Sequence, residues 1–242
     1  MVFVDSTENR DAVAASRYAR VAGVAMLLSI VFGLLGEMIL PDRIIVDRDA
    51  AATAANILAH PMLFRLSFAT YLVEGICDVA LCVFFYILLR PVDRNLALLS
   101  AFFGIASMVT YAVSESSYFV SSLALGGTGG MGAFSPDQRV ALAYLAIRIS
   151  ATIALLFLSL YGIASMIRGV LITRSTYLPK VLGYLFILGG AGFFIRSTTY
   201  LLAPRFSSPI LLIPMALAAI SIMAWLLIRG IDPARIRTHS SS

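Results

Sequence analysis

Charge is what this sequence has least of. Only 13% of its 242 residues are Asp, Glu, Lys or Arg, against roughly 25% in an ordinary globular domain. Another 60% are hydrophobic, and the mean hydropathy is +0.93. Such a chain cannot cover a water-facing surface, which excludes a soluble enzyme and a disordered tail.

Cysteine and histidine are scarce too, with two of each. Cys77 and Cys82 share one apolar run and, at about 100° per residue, point about 140° apart. They cannot pair with each other, so a disulfide scaffold is excluded and both read as buried thiols. His60, beside Pro61, and His239 are the only histidines. Axial ligation of a haem in a helix bundle needs His, or His with Met, so no cofactor is expected. No Walker lysine, no His-Glu-x-x-His and no metal-ligand cysteine spacing occurs, so no metal is expected either. The net charge of +5 comes from basic residues set singly or in pairs beside apolar runs. A nucleic-acid surface would gather them into blocks.

What remains is apolar sequence long enough to cross a bilayer, at about 20 residues per crossing. Six runs qualify, at roughly 17–40, 65–89, 96–123, 137–168, 181–203 and 210–229. The expected fold is therefore all-α, a polytopic bundle of six transmembrane helices over residues 17–230. An N-terminal segment 1–16 and a tail 231–242 flank it. The first run is too long for a signal peptide and lacks a small-residue cleavage site, so it reads as a retained helix. Pro41, Pro91, Pro179, Pro204 and Pro209 fall between runs, where no helix hydrogen bond is lost. Ser135-Pro136-Asp137 supplies a start signal for the fourth run, and Pro214 marks a kink or a late start in the sixth.

Arg10, Arg17, Arg20, Arg90, Arg94, Arg168, Arg174, Lys180, Arg229, Arg235 and Arg237 lie on one side of this topology. Only Arg43, Arg48, Arg139 and Arg205 lie on the other. The positive-inside rule then puts both termini in the cytoplasm. The longest outer connection carries its own helix, Ala50 to Ala59, with Asp49 as N-cap and Pro61 closing it. The other outer loop, Gly126 to Gly132, formally matches the dinucleotide fingerprint but lacks its strand and its helix. It reads as a flexible connection.

Ionisable residues inside apolar runs cost at least about 2.5 kcal/mol each at mid-membrane and so need a partner or a wet site. They are Glu74 and Asp78 in the second run, Glu115 in the third, Arg148 in the fourth and Arg196 in the fifth. Glu37 and Arg65 lie nearer the outer ends. At 1.5 Å per residue, Glu74, Glu115, Arg148 and Arg196 fall in one layer about 10–16 Å deep, with Asp78 about a turn deeper. Tyr71, Tyr111, Tyr144 and Tyr200 sit three or four residues from these charges and share their faces. The expectation is an Arg–Glu–Tyr layer in which Arg148 and Arg196 each meet a carboxylate of Glu74, Asp78 or Glu115, directly or through a single water. It could bind a small polar or amphipathic ligand, fix helix packing within a larger membrane complex or homo-oligomer, or serve a small transporter. An acid–base role for Glu115 or Asp78 lacks a recognisable nucleophile, so no catalytic residue is assigned.

Several stretches carry a resemblance: Asp49-Ala-Ala-Ala-Thr53-Ala-Ala-Asn56-Ile57, Phe64-Arg65-Leu66 with Asp78, Leu88-Leu89-Arg90-Pro91-Val92-Asp93-Arg94, and Leu178-Pro179-x-x-Leu182-Gly183. From about Tyr18 to Gly230 the chain resembles the bacterial membrane family known as domain of unknown function 4386. The resemblance implies a six-helix inner-membrane protein and no particular activity. Family members often carry an arginine early in helix three, where this chain reads Phe102-Phe103-Gly104. They also tend to have an acid in helix six, where it reads Ser221 to Trp225.

Overall fold

The computed structural model describes residues 2–127 and 130–231, with 2–16 as backbone alone. Arg235, Arg237, His239 and the rest of the 232–242 tail lie outside the described residues, as do Thr128 and Gly129 of the glycine loop. The fold is all-helical, with 87% helix and no strand among the described residues. In chain order the helices are α1 (Val2–Gly33), α2 (Ala50–Ala59), α3 (Pro61–Leu89), α4 (Arg94–Leu125), α5 (Pro136–Arg174), α6 (Lys180–Leu202) and α7 (Ile213–Ile228). Six segments are long and apolar enough to cross a membrane: Arg17–Arg43, Pro61–Leu89, Arg94–Leu125, Pro136–Arg174, Lys180–Leu202 and Pro209–Ile228. They coincide with the six apolar runs. Their outward faces carry large side chains such as Ile76, Leu202 and Ile228, each more than two-thirds exposed, as lipid contact requires.

Polar residues set the helix ends. Asp49 accepts from the Ala52 amide at 2.8 Å and starts α2. Asp93 accepts from the Asn95 and Leu96 amides at the start of α4. Ser135 and Gln138 bond each other's amides reciprocally ahead of α5, a capping box that satisfies donors the first turn cannot. Pro209–Leu212 is a single 3-10 turn, and α7 follows from Ile213 with Pro214 in its first turn. Pro214 thus marks a late start rather than a kink. Helix α5 runs six residues past the expected end at Arg168, to Arg174.

The chain divides into two compact units whose boundaries fall inside helices, after Leu27, Ile76, Ser107 and Leu156. The Glu74 unit comprises 28–76 and 108–156; the Arg168 unit comprises the chain up to 27, 77–107 and from 157 on.

The Glu74 unit has a core of Ile44, Ala54, Ile57, Phe64, Tyr118, Leu125 and Ile147. Phe64 stacks on Tyr118 at 4.7 Å between ring centroids. A ten-residue helix such as α2 is marginal in water. Here Thr53, Ala54 and Ile57 bury one face of it, and Asn56 Nδ2 ties it to the Ile44 carbonyl at 3.0 Å.

In the Arg168 unit, α5 and α6 approach each other at two glycine pairs. A Cβ on Gly162 would lie 2.6 Å from the Gly190 carbonyl oxygen, and one on Gly169 would lie 2.6 Å from that of Gly183. Each helix sets its two glycines seven residues apart, which returns them to nearly the same face. The α5–α6 connection is tied down by Tyr177, whose hydroxyl donates to the Leu88 carbonyl at 2.5 Å. Burial pushes the Tyr177 phenol pKa up, so it stays protonated and keeps donating.

Candidate functional site: an acid–phenol cluster

Helix α3 places Tyr71 and Glu74 three residues apart, both buried. Helix α4 places Tyr111, Glu115 and Tyr118 on one stripe, at spacings of four and three. Glu37 arrives by a less regular route. After Gly33, α1 passes into a π-helical turn, Leu34–Ile39, closed by a bond from the Leu40 amide to the Leu35 carbonyl at 3.0 Å. Such a turn inserts one residue into the helix and is common at functional sites.

Glu37 and Glu74 meet at the Tyr111 hydroxyl. It hydrogen-bonds Glu37 Oε1 and, at 3.1 Å, Glu74 Oε2. The Tyr71 ring stands edge-on to Tyr111 at 4.7 Å. The charges acting on Tyr111 are Glu37, Glu74 and Glu115, and those acting on Tyr71 are Glu115 and Glu74. Glu115 is acted on by Glu37. Tyr118 lies within electrostatic range of Glu115. Its hydroxyl is buried, with Ser67 as its polar neighbour. Gly33 makes room for the cluster, since a Cβ there would lie 2.6 Å from Glu74 Oε1.

The Arg168 unit has a polar centre of its own. Arg168, 2% exposed, is among the largest fully enclosed side chains. Its Nε donates to Ser100 Oγ at 3.2 Å and its Nη2 to Cys82 Sγ at 3.5 Å. The guanidinium lies over the rings of Phe85 and Tyr161, at 5.1 and 5.6 Å. Gly104 leaves the space, because a Cβ there would be 2.6 Å from Nη2. Asp78 acts electrostatically on both Cys82 and Tyr161.

A family model described as a domain of unknown function, DUF4386, matches residues 21–230. The chain belongs to that family. Comparison of this DUF4386 protein with curated proteins and with solved structures finds no match.

Of the side chains expected in one layer, the DUF4386 fold brings together Tyr71, Glu74, Tyr111 and Glu115 and adds Glu37 and Tyr118. Asp78 is buried in the other unit, near Cys82 and Tyr161. Among the described residues the direct arginine–carboxylate pairing does not form. Arg148 is exposed and makes no ion pair with any described carboxylate. An arginine keeps its proton, but its long stem can carry the charge off the helix face. Tyr144, one turn away, accepts instead from the Arg48 amide at 3.0 Å. Arg196 is half-buried, with its Nε lacking a partner and no ion pair made to a described carboxylate, and Tyr200 is exposed. Arg168, counted from sequence among the loop charges, is instead a buried interior group. Its signal was present: the apolar run continues beyond it as Gly169-Val170-Leu171-Ile172.

Proposed function

We propose that this protein is a bacterial inner-membrane protein, with both termini cytoplasmic, that binds a small cationic ligand at the acid–phenol cluster. The observation that carries the ligand reading is the sign of the field. Three carboxylates from three helical segments act on the Tyr71–Tyr111 pair. Carboxylates so close favour uptake of positive charge. Among the described residues no group of three His, Cys, Asp or Glu is close enough to hold a metal ion. Two phenol rings beside carboxylates suit an alkylammonium instead, whose charge is attracted to both. Glu74, Glu115, Tyr71, Tyr111, Glu37 and Tyr118 are the residues assigned to binding; Tyr144, Arg148, Arg196 and Tyr200 are not.

The test uses the full chain in detergent with tetramethylammonium and ethylammonium, and with acetate as an anionic control. An ammonium ion at a hundred times its Kd should stabilise the protein by about 2.7 kcal/mol. Glu74→Gln should abolish that gain. If neither cation raises the unfolding temperature, or if acetate does so equally, the reading fails.

The orientation rests on the loop charges, which favour one side by ten to four once Arg168 is set aside as an interior group. A reporter joined after Arg237 should be active only if it functions in the cytoplasm. Activity of a periplasm-specific reporter at that point would reverse the orientation.

A further inference from the structure

A phenol has one proton to give, and an ionised carboxylate can only accept. Yet the Tyr111 hydroxyl sits in hydrogen-bonding geometry with Glu37 Oε1 and Glu74 Oε2 at once. It can donate to one of them. The other contact is a hydrogen bond only if that carboxyl carries a proton and donates it to the phenol oxygen. With both carboxylates ionised, one contact would set lone pair against lone pair in a site that also feels Glu115.

The two acids differ in access. Glu74 is 8% exposed, whereas Glu37, carried by the π-helical turn, is exposed. We propose that Glu37, Tyr111 and Glu74 form a proton relay, holding one proton between two carboxyls and exchanging it with the surroundings at Glu37. In the transfer step, protonated Glu37 donates to the phenol oxygen while the phenol passes its own proton to the Glu74 carboxylate. Glu37 is left ionised, Tyr111 is restored and Glu74 is neutral, a net movement of one proton inward. Beside the relay stand the Tyr71 ring from α3, edge-on to Tyr111, and the Glu115 carboxyl from α4, which acts on Tyr111. Of the charged groups that α5 contributes to this unit, Asp137, Arg139 and Arg148 are not among those acting on Tyr111 or Glu115.

The inference deepens the ligand reading and rests on it in one respect: an ammonium ion settling on ionised carboxylates displaces the proton. The proton itself is measured without ligand. Infrared spectra of the full chain in detergent at neutral pH, in H2O and D2O, should show a protonated-carboxyl stretch. That component should be absent from both Glu37→Gln and Glu74→Gln and retained in Glu115→Gln. Tyr111→Phe should move it to the frequency of a carboxyl without that hydrogen bond. If the wild-type protein lacks the component, or if it survives both of the first two substitutions, the relay is overturned. Should Glu74→Gln fail to fold, the exposed Glu37→Gln variant decides alone. Adding tetramethylammonium in weak buffer should then release about one proton per ion bound. Binding without release overturns the relay and leaves the ligand reading standing. An intact carboxyl band with no ammonium binding does the reverse.

Discussion

Arg168→Ala should lower stability more than any other single truncation in its unit, by about 3–5 kcal/mol in thermal or denaturant unfolding of the detergent-solubilised chain. Two effects add. The guanidinium's bonds to Ser100 Oγ and Cys82 Sγ are lost, and Phe85 and Tyr161 are left facing the space it filled. Asp78, which acts on the same Cys82 and Tyr161 as Arg168 does, would keep its charge after the opposing one is gone. Arg168→Lys keeps the charge but not the planar fork that reaches serine and cysteine together, so it should recover only part of the loss. A change of less than about 0.5 kcal/mol for Arg168→Ala, the size of an ordinary surface substitution, would mean that the side chain is not packed in this way.

Gly183→Val should cost about 3 kcal/mol or more, beyond the usual penalty for overpacking. A Cβ at Gly183 would meet the Gly169 carbonyl oxygen at 2.6 Å and the Thr173 amide nitrogen at 2.8 Å. Both are backbone atoms of α5, so no side chain can turn aside, and the two helices must part along their length. Small residues permit this approach because association inside a membrane depends on close packing rather than on hydrophobic burial. Gly132→Val is the control. Nothing lies within 4 Å of a Cβ there, and stability should change by less than about 0.5 kcal/mol. Equal losses for the two variants would show that the glycine crossing does not hold α5 and α6 together.

The contrast between Arg168 and Arg148 shows what the sequence can reveal in such a protein. Length and apolarity locate all six crossings, and Asp49, Ser135 and Pro214 announce helix ends that the structure reproduces. Side-chain direction is far harder to read. In a soluble helix the polar stripe marks the outside, but lipid and protein interior are equally apolar, so periodicity gives no face to α5. The hydroxyl beside Arg148 makes Tyr144 and Arg148 look like an inward stripe. In the structure Arg148 is exposed and Tyr144 bonds a loop amide. Arg168 looks like an orienting loop charge only because it stands near the expected end of its run. The acid side of the site is legible because Glu74 and Glu115 are flanked at helical spacing by Tyr71, Tyr111 and Tyr118. Glu37 escapes because its position depends on a π-helical turn, which no spacing rule for regular helices anticipates.

The division of the chain into units also sets an order in time. Every residue of the Glu74 unit has been synthesised once the ribosome has passed Leu156. The Arg168 unit holds the chain up to residue 27 together with α6 and α7, so it cannot close until α7 has been made. Larger chains generally fold as successive units during synthesis. The half that carries Glu37, Tyr111 and Glu74 can therefore be complete in the membrane while the start of α1 still waits for its last-made neighbours.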